Sequence, residues 1–192
     1  MEKKSFKSWL IDPSYDIKTN KKLQNRLKEL YKEGFKIGLH GSYESAKSYE
    51  KLKNEKEILE DILGIKITKT RQHWLNYFEK NTPKFHENLF EYDSTLGWNN
   101  KIGFRSACAS LYNPYNFEVE KAYNHKIIPQ VIMDSNVYDY ADDESIFLKA
   151  KNMIQNAKDV SKTMNISISW HQRVCSSDYN WHKFYEEILD AF

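Results

Sequence analysis

The stretch Ile37-Gly38-Leu39-His40-Gly41-Ser42-Tyr43 decides the fold class that the sequence predicts. Its apolar start is typical of a short buried strand, and the histidine that closes the strand is followed by small and polar residues. Two further strand-like segments, which start at Ile65 and Ile166 and alternate apolar with polar residues, lead in the same way to His73 and to His171. Because the carboxyl ends of strands in α/β folds converge on one open face, three histidines in this position predict a shared site.

Helical patterns alternate with short apolar runs along the whole chain. The predicted helices are 20–34, 49–63, 82–89, 143–164 and 178–192, and the predicted strands are 35–39, 65–70, 90–95, 126–133 and 166–170. Strands that alternate with helices indicate parallel βαβ units, so we expect an α/β fold, either a doubly wound sheet or a barrel with units missing. We expect one domain over residues 1–192, with a long and functional loop over 97–124.

Composition excludes several classes of protein. With 40% hydrophobic and 29% charged residues, the 192-residue chain has the composition of a globular protein. No apolar run approaches the roughly 20 residues that span a bilayer, and no signal-peptide core follows Met1, so we expect a cytoplasmic protein. Two cysteines are too few for a disulfide framework, and a net charge of +2 gives no reason to expect nucleic acid as a partner.

Ionisable residues at the predicted strand ends form a candidate metal site. Glu44 follows His40 by four residues, so the two side chains can face the same way if a helical turn starts there. Arg71 precedes His73 by two residues, so an extended backbone points both side chains to one side. Imidazole and carboxylate groups together are an ordinary ligand set for zinc or a similar divalent ion. The metal prediction therefore includes His40, His73 and Glu44, and the alternative is that each is a hydrogen-bonded or solvated structural residue.

Further polar and aromatic residues accompany these ligands. Asp93 and Arg105 lie near later strand ends, where they could contribute to catalysis and to substrate binding or could simply pair with each other. Flat aromatic rings suit stacking on sugar faces, but they also suit an ordinary core. The predicted substrate-binding residues are Tyr43, Trp74, Arg105 and Trp170.

The order of these motifs resembles the polysaccharide deacetylase (NodB-like) family, in particular a branch with a His-x-Ser-Tyr motif. The similar stretches are Gly38-Leu39-His40-Gly41-Ser42-Tyr43, Arg71-Gln72-His73-Trp74-Leu75, Tyr92-Asp93-Ser94-Thr95-Leu96-Gly97, Gly103-Phe104-Arg105 and Trp170-His171. Each motif is short, but five in the family's order make the resemblance fairly specific.

The resemblance implies a distorted (β/α) barrel and metal-dependent removal of acetyl groups from carbohydrate. His40 matches the first histidine of the family's metal motif, Arg71 the arginine that orients the catalytic aspartate, and His171 the general acid. With Asp93 as the carboxylate of the predicted catalytic set, the implied mechanism uses metal-activated water and proton donation by His171 to the leaving group.

The sequence departs from the family pattern at two places. Glu44 stands where the family has its second metal-binding histidine, and His73 could supply the missing imidazole. The family's aspartate-rich first strand is not evident, because Asp12 and Asp16, the only aspartates upstream of His40, do not follow a convincing buried strand. The barrel could therefore be incomplete, which would leave strand edges exposed and favours a homo-oligomer or a partner chain.

Three functional interpretations stay open. The first is a deacetylase-like enzyme for an acetylated sugar in polysaccharide or glycan biosynthesis. The second is a non-catalytic sugar-binding or assembly subunit, or the carboxyl-terminal fragment of a longer deacetylase, which the missing aspartate motif favours. The third is a hydrolase that uses the same metal and water on another ester or amide.

Overall fold

The computed structural model describes residues 16–140, 144–160, 165–179 and 182–191, and the chain is mixed α/β with parallel strands. Its contacts divide it into two compact units, one formed by residues 1–93 and 123–125 and the other by residues 94–122 and 126–192. The helices are α1 (Lys21–Lys32), α2 (Tyr49–Leu63), α3 (Thr82–Leu89), α4 (Glu144–Val160) and α5 (His182–Leu189). The strands are β1 (Leu39–Gly41), β2 (Lys69–Gln72), β3 (Tyr92–Asp93), β4 (Tyr115–Asn116), β5 (Lys121–Ala122), β6 (Lys126–Ile127), β7 (Gln130–Met133) and β8 (Ser167–Ser169).

The helix ends follow from local sequence. The Asn20 side chain accepts a hydrogen bond from the Leu23 amide at 3.0 Å and caps α1. Ser48 caps α2 in the same way, and α2 ends at Gly64, whose φ of 70° lies in the left-handed region that glycine adopts without strain. Pro83 lies in the first turn of α3, where its missing N–H costs no helical hydrogen bond.

The first unit contains the parallel strands β1, β2 and β3 in that order. The register places His40 beside Arg71 and Thr70 beside Asp93. Helices α2 and α3 connect successive strands, so β1–α2–β2–α3–β3 forms two consecutive parallel crossover units. Its apolar core comprises Leu39, Leu52, Leu59, Leu63, Ile67 and Phe90.

The second unit pairs β7 with β8, also in parallel. Gln130 lies beside Ser167 and Met133 beside Ser169, and α4 makes the crossover between the two strands. The core is formed by Val131, Ile132, Val137, Phe147, Ala150, Ile154, Phe184 and Ile188, and the rings of Phe147 and Phe184 stack. Strands β4 and β5 form an antiparallel hairpin inside the segment 97–124, for which we expected a loop.

Several strand boundaries differ from the prediction. The run 35–39 pairs only from Leu39 onward, since Phe35 is 58% exposed and lies outside the core. The predicted strand 126–133 is two strands, because Pro129 has no N–H to donate to a sheet and lies between them. The last predicted residues of the long helix, 161–164, lie outside the described residues.

The α/β class is confirmed, whereas the barrel is not seen. Within each unit, the described strands form open sheets and do not close into a barrel. In the ranges that the structure describes, no helix combines the length and the apolar character that crossing a membrane requires. The single deacetylase-like domain stays a prediction.

Candidate functional site

His40 and His73 lie side by side in the first unit. His40 is the exposed central residue of β1, and His73 directly follows β2, the parallel neighbour of β1. Their ring centroids are 5.2 Å apart, and the rings meet nearly edge to face at 69°. The sheet thus brings together the two histidines that the sequence assigned to a metal.

The separation of the two rings fits shared coordination of a metal. Two imidazoles on one tetrahedral zinc ion have ring centroids about 5 Å apart, given Zn–N bonds of about 2.1 Å. Among the described residues, no group of three or more His, Cys, Asp or Glu side chains is arranged to hold a metal ion. The pair therefore fits part of a metal's coordination shell.

Glu44, the third predicted ligand, lies in the loop after β1. It is exposed, and its carboxylate is 4.0 Å from the Lys47 ammonium group. The loop is held in place by Glu55 of α2, whose carboxylate accepts hydrogen bonds from the Ser42 amide at 3.0 Å and from the Ser42 hydroxyl at 2.5 Å. The ligand role of Glu44 stays a prediction.

Two aromatic residues predicted to bind substrate lie in the loops after β1 and β2. Asn76 donates to the Tyr43 carbonyl at 3.0 Å and so ties the two loops together. The Lys47 ammonium group lies 5.3 Å from the Tyr43 ring centroid and 5.6 Å from that of Phe78. These contacts hold Tyr43 in position. They also place Phe78, which the sequence did not single out, near the same Lys47 ammonium group.

Trp74 has a strained backbone beside His73. Its φ is 60° and that of Leu75 is 50°, both in the left-handed region that is unfavourable for bulky residues. The Trp74 side chain is 57% exposed, and its ring lies 6.4 Å from the His73 ring. A large ring held exposed at a conformational cost is typical of a binding residue.

Arg71 and Asp93 interact inside the first unit. Burial lowers the pKa of the Arg71 guanidinium, and the negative charge of Asp93 partly offsets that effect. Asp93 is 0% exposed, and its carboxylate also lies 3.1 Å from the His86 ring. Full burial argues against direct contact of Asp93 with a substrate and favours an indirect role through Arg71.

The second unit contains a histidine–carboxylate pair that the sequence analysis found only in part. His171 Nδ1 lies 2.8 Å from Asp134 Oδ2, and the backbone amides of His171 and Ser135 also donate to this carboxylate. Asp134 is 1% exposed, whereas His171 is exposed. A carboxylate at Nδ1 fixes the ring and leaves Nε2 to exchange a proton, the arrangement that general acid–base catalysis uses.

The signal for Asp134 was present in the sequence. It directly follows the apolar run Val131-Ile132-Met133, as His40 follows its own run. The rule that placed the histidines at strand ends therefore also selects Asp134, although the partner of this carboxylate becomes visible only when β7 pairs with β8.

Arg105 belongs to a cation–aromatic group in the second unit. The Lys101 ammonium group lies 3.9 Å and the Arg105 guanidinium 5.7 Å from the ring centroid of Trp98. The carbonyl of Trp98 accepts from the Asn136 side chain at 2.9 Å, and Asn136 accepts in turn from the Met133 amide. The loop that carries Arg105 is thus attached to the turn that carries Asp134.

Trp170 is largely a packing residue. It lies against the apolar core of the second unit, and its ring is 5.6 Å from that of Tyr185. Its indole nitrogen is buried and, in the part of the chain described, has no hydrogen-bond partner. A substrate-binding role for Trp170 stays a prediction.

The upstream aspartates give no further ligand. Asp16 accepts a hydrogen bond from the Thr19 hydroxyl at 2.8 Å in an exposed turn before α1. Asp12 lies outside the described residues. Comparison of the chain with models of known protein families and with curated proteins finds no match.

Proposed function

We propose that the protein is a metal-dependent, deacetylase-like hydrolase that acts on an acetylated carbohydrate in polysaccharide or glycan biosynthesis. The observation that carries the proposal is the His40–His73 pair, whose ring separation of 5.2 Å suits two imidazole ligands of one divalent ion. A distorted barrel of the polysaccharide deacetylase type, and a cytoplasmic location, belong to the same proposal.

In the proposed reaction, His40 and His73 hold the ion, which we take to be zinc. When bound, such an ion would polarise the acetyl carbonyl and make a water molecule more acidic. Glu44 is the proposed additional ligand, since it lies in the loop that follows His40 and its carboxylate is exposed to solvent. These assignments are testable by metal content alone.

His171 is the proposed proton donor to the leaving amine or alcohol. Its Nδ1 faces the buried Asp134 carboxylate, which fixes the orientation of the ring and leaves Nε2 to release or receive the proton. Arg71 is the proposed orienting arginine for Asp93, whose negative charge acts on the Arg71 guanidinium. Tyr43, Trp74 and Arg105 are the proposed sugar contacts, with the half-buried Tyr43 ring and the exposed Trp74 ring for stacking and the Arg105 guanidinium for hydrogen bonding.

A sugar-binding or assembly subunit without catalysis is the second candidate. It is favoured by the full burial of Asp93, since the described part of the chain then offers no evident carboxylate base beside His40 and His73. In this case the aromatic residues would bind sugar while the histidines serve as structural or metal-binding groups. A second copy or a partner chain is proposed to complete the barrel in either case.

Metal content tests the proposal first. The purified chain is dialysed and analysed for zinc and other divalent ions, beside His40→Ala, His73→Ala and, as a matched control, His171→Ala. We expect about one ion per chain in the wild type and in the control, and less than a tenth of that in the other two variants. Full metal retention in both would overturn the metal assignment.

Acetate release then separates the two candidates. Acetylated chito-oligosaccharides and O-acetylated xylo-oligosaccharides serve as probes, with the metal-free protein as the baseline. Release that depends on the metal supports the hydrolase, whereas saturable sugar binding without release supports the binding subunit. Release that persists unchanged after metal removal would contradict the proposal.

A further inference from the structure

Three buried polar side chains of the first unit contact one another close to Arg71. Gln72, His86 and Asp93 are all 0% exposed, although they come from β2, α3 and β3. His86 is the central member, since its Nε2 lies 3.1 Å from the Gln72 amide nitrogen and its Nδ1 lies 3.1 Å from Asp93 Oδ2. Sequence reasoning gave His86 no role.

The proton of the His86 ring can be placed from these neighbours. A carboxylate oxygen only accepts hydrogen bonds, so an unprotonated Nδ1 at 3.1 Å would set two lone pairs against each other in a dry interior. A proton on Nδ1 removes this repulsion, whichever way the Gln72 amide is turned. The contact does not have hydrogen-bond geometry, and its distance of 3.1 Å suits an electrostatic contact between the ring N–H and the carboxylate in a dry interior.

The surroundings keep water away from this contact. The rings of Phe90 and His125 pack edge to face on His86, with centroids 5.7 Å and 6.0 Å away. His125 is 1% exposed, and burial together with the neighbouring His86 lowers its pKa to about 4. The ring facing His86 is thus uncharged at neutral pH and does not compete for the Asp93 charge.

We propose that His86 is a positioning residue whose Nδ1–H holds the Asp93 carboxylate in place against Arg71. The negative charge of Asp93 acts on the Arg71 guanidinium and raises its pKa, so a displaced Asp93 carboxylate would change the electrostatic environment of Arg71. The Gln72 side chain contacts His86 through its amide nitrogen, and its oxygen accepts a hydrogen bond from the Ser45 hydroxyl, in the loop that follows His40. His86 therefore links the position of Arg71 to the β1 loop, and this role rests on the proposed function only in giving Arg71 a part in the reaction.

Two substitutions separate the contacts of His86. His86→Asn places an amide near the position of Nδ1 and can still donate to Asp93, whereas His86→Gln places it near Nε2 and faces Gln72. If His86 acts through Asp93, the Arg71 Nε–H resonance should exchange with water roughly ten-fold faster in the Gln variant and stay near the wild-type rate in the Asn variant. Equal exchange in both variants, each checked for folding by circular dichroism, would overturn the proposal.

Nitrogen-15 NMR of the wild-type imidazoles gives a test that needs no substitution. We expect the His86 signals of a ring protonated at Nδ1 at neutral pH, and a ring protonated only at Nε2 would contradict the proposal. Turnover adds a third measurement, with kcat lower in the Gln variant than in the Asn variant and KM unchanged. If the wild type releases no acetate, the proposed function fails while both NMR measurements still decide the role of His86.

Discussion

The Asp134 carboxylate accepts hydrogen bonds from both the ring and the backbone amide of His171, and this double contact fixes the ring at the carboxyl end of β8. The carboxylate is buried, whereas the ring is exposed. A buried negative charge beside one ring nitrogen and solvent beside the other is the polarity that a proton donor requires.

Asp134→Asn tests this relationship. The amide keeps the size of the side chain but can donate toward Nδ1, so the ring should adopt the opposite tautomer. We expect turnover to fall about 10²–10⁴-fold if His171 is the general acid. NMR of the His171 ring reports the tautomer without any substrate, and Asp178→Asn, which changes an exposed carboxylate in the same unit, is the control. An unchanged tautomer would contradict the structural interpretation.

Gly41→Ala tests why a glycine follows His40. A Cβ at this position would overlap the Gln72 side-chain oxygen and lie 2.8 Å from the Ser45 hydroxyl. We expect overpacking to lower the free energy of unfolding by about 1–3 kcal/mol, measured by urea denaturation. In a Gln72→Ala background the same change should cost less, since most of the overlapping atoms are gone. Equal costs in the two backgrounds would show that Gln72 is not the obstacle.

Trp74→Gly and Trp74→Ala test the strained backbone after His73. Both remove the exposed ring, but glycine adopts a positive φ without the steric cost that alanine has. We therefore expect the glycine variant to be about 1 kcal/mol more stable than the alanine variant, the reverse of the order in ordinary strands and helices. Thermal denaturation decides this, and sugar binding by calorimetry should be equally weakened in both.

The buried His125 ring predicts a loss of stability in acid. Its pKa is about 4 in the folded chain against 6.5 as the ordinary value, so below pH 6.5 the unfolded chain takes up the proton first. The stability is complete above pH 6.5 and falls as the pH decreases toward 4, by about 3 kcal/mol over the whole window.

His125→Gln isolates this contribution because glutamine does not titrate. The difference in unfolding free energy between about pH 7.5 and about pH 5 should be smaller in the variant by about 2 kcal/mol. Urea titrations at the two pH values measure it. The same pH dependence in both proteins would mean that His125 titrates normally in the folded chain.

Much of the first unit was predictable because local patterns and tertiary structure agree there. Helix α2 has the bounds that its apolar spacing and Gly64 predict, and the strand-end rule places His40 beside His73. Boundaries of the short strands were predicted less well. A strand of two or three residues, such as β1 or β3, is defined by its partner's hydrogen bonds more than by its own sequence.

The buried network around His86 was not predictable for a related reason. Its members come from separate elements, and only the register that sets Thr70 beside Asp93 brings the elements together. An isolated histidine in a helix gives no sign of such a partner. Asp134 differs, since its position after an apolar run was itself informative, and only the identity of its partner required the structure.

The side chain of Asn136 fixes the backbone around Asp134 in the second unit. By holding the Trp98 carbonyl and the Met133 amide together, it fixes the path of one loop against the turn that carries Asp134. The Lys101 and Arg105 cations lie over the ring of Trp98, the residue whose carbonyl Asn136 holds. A change of charge at Lys101 would therefore alter the charge beside the Trp98 ring, while Asn136 keeps the shape of the turn that carries Asp134.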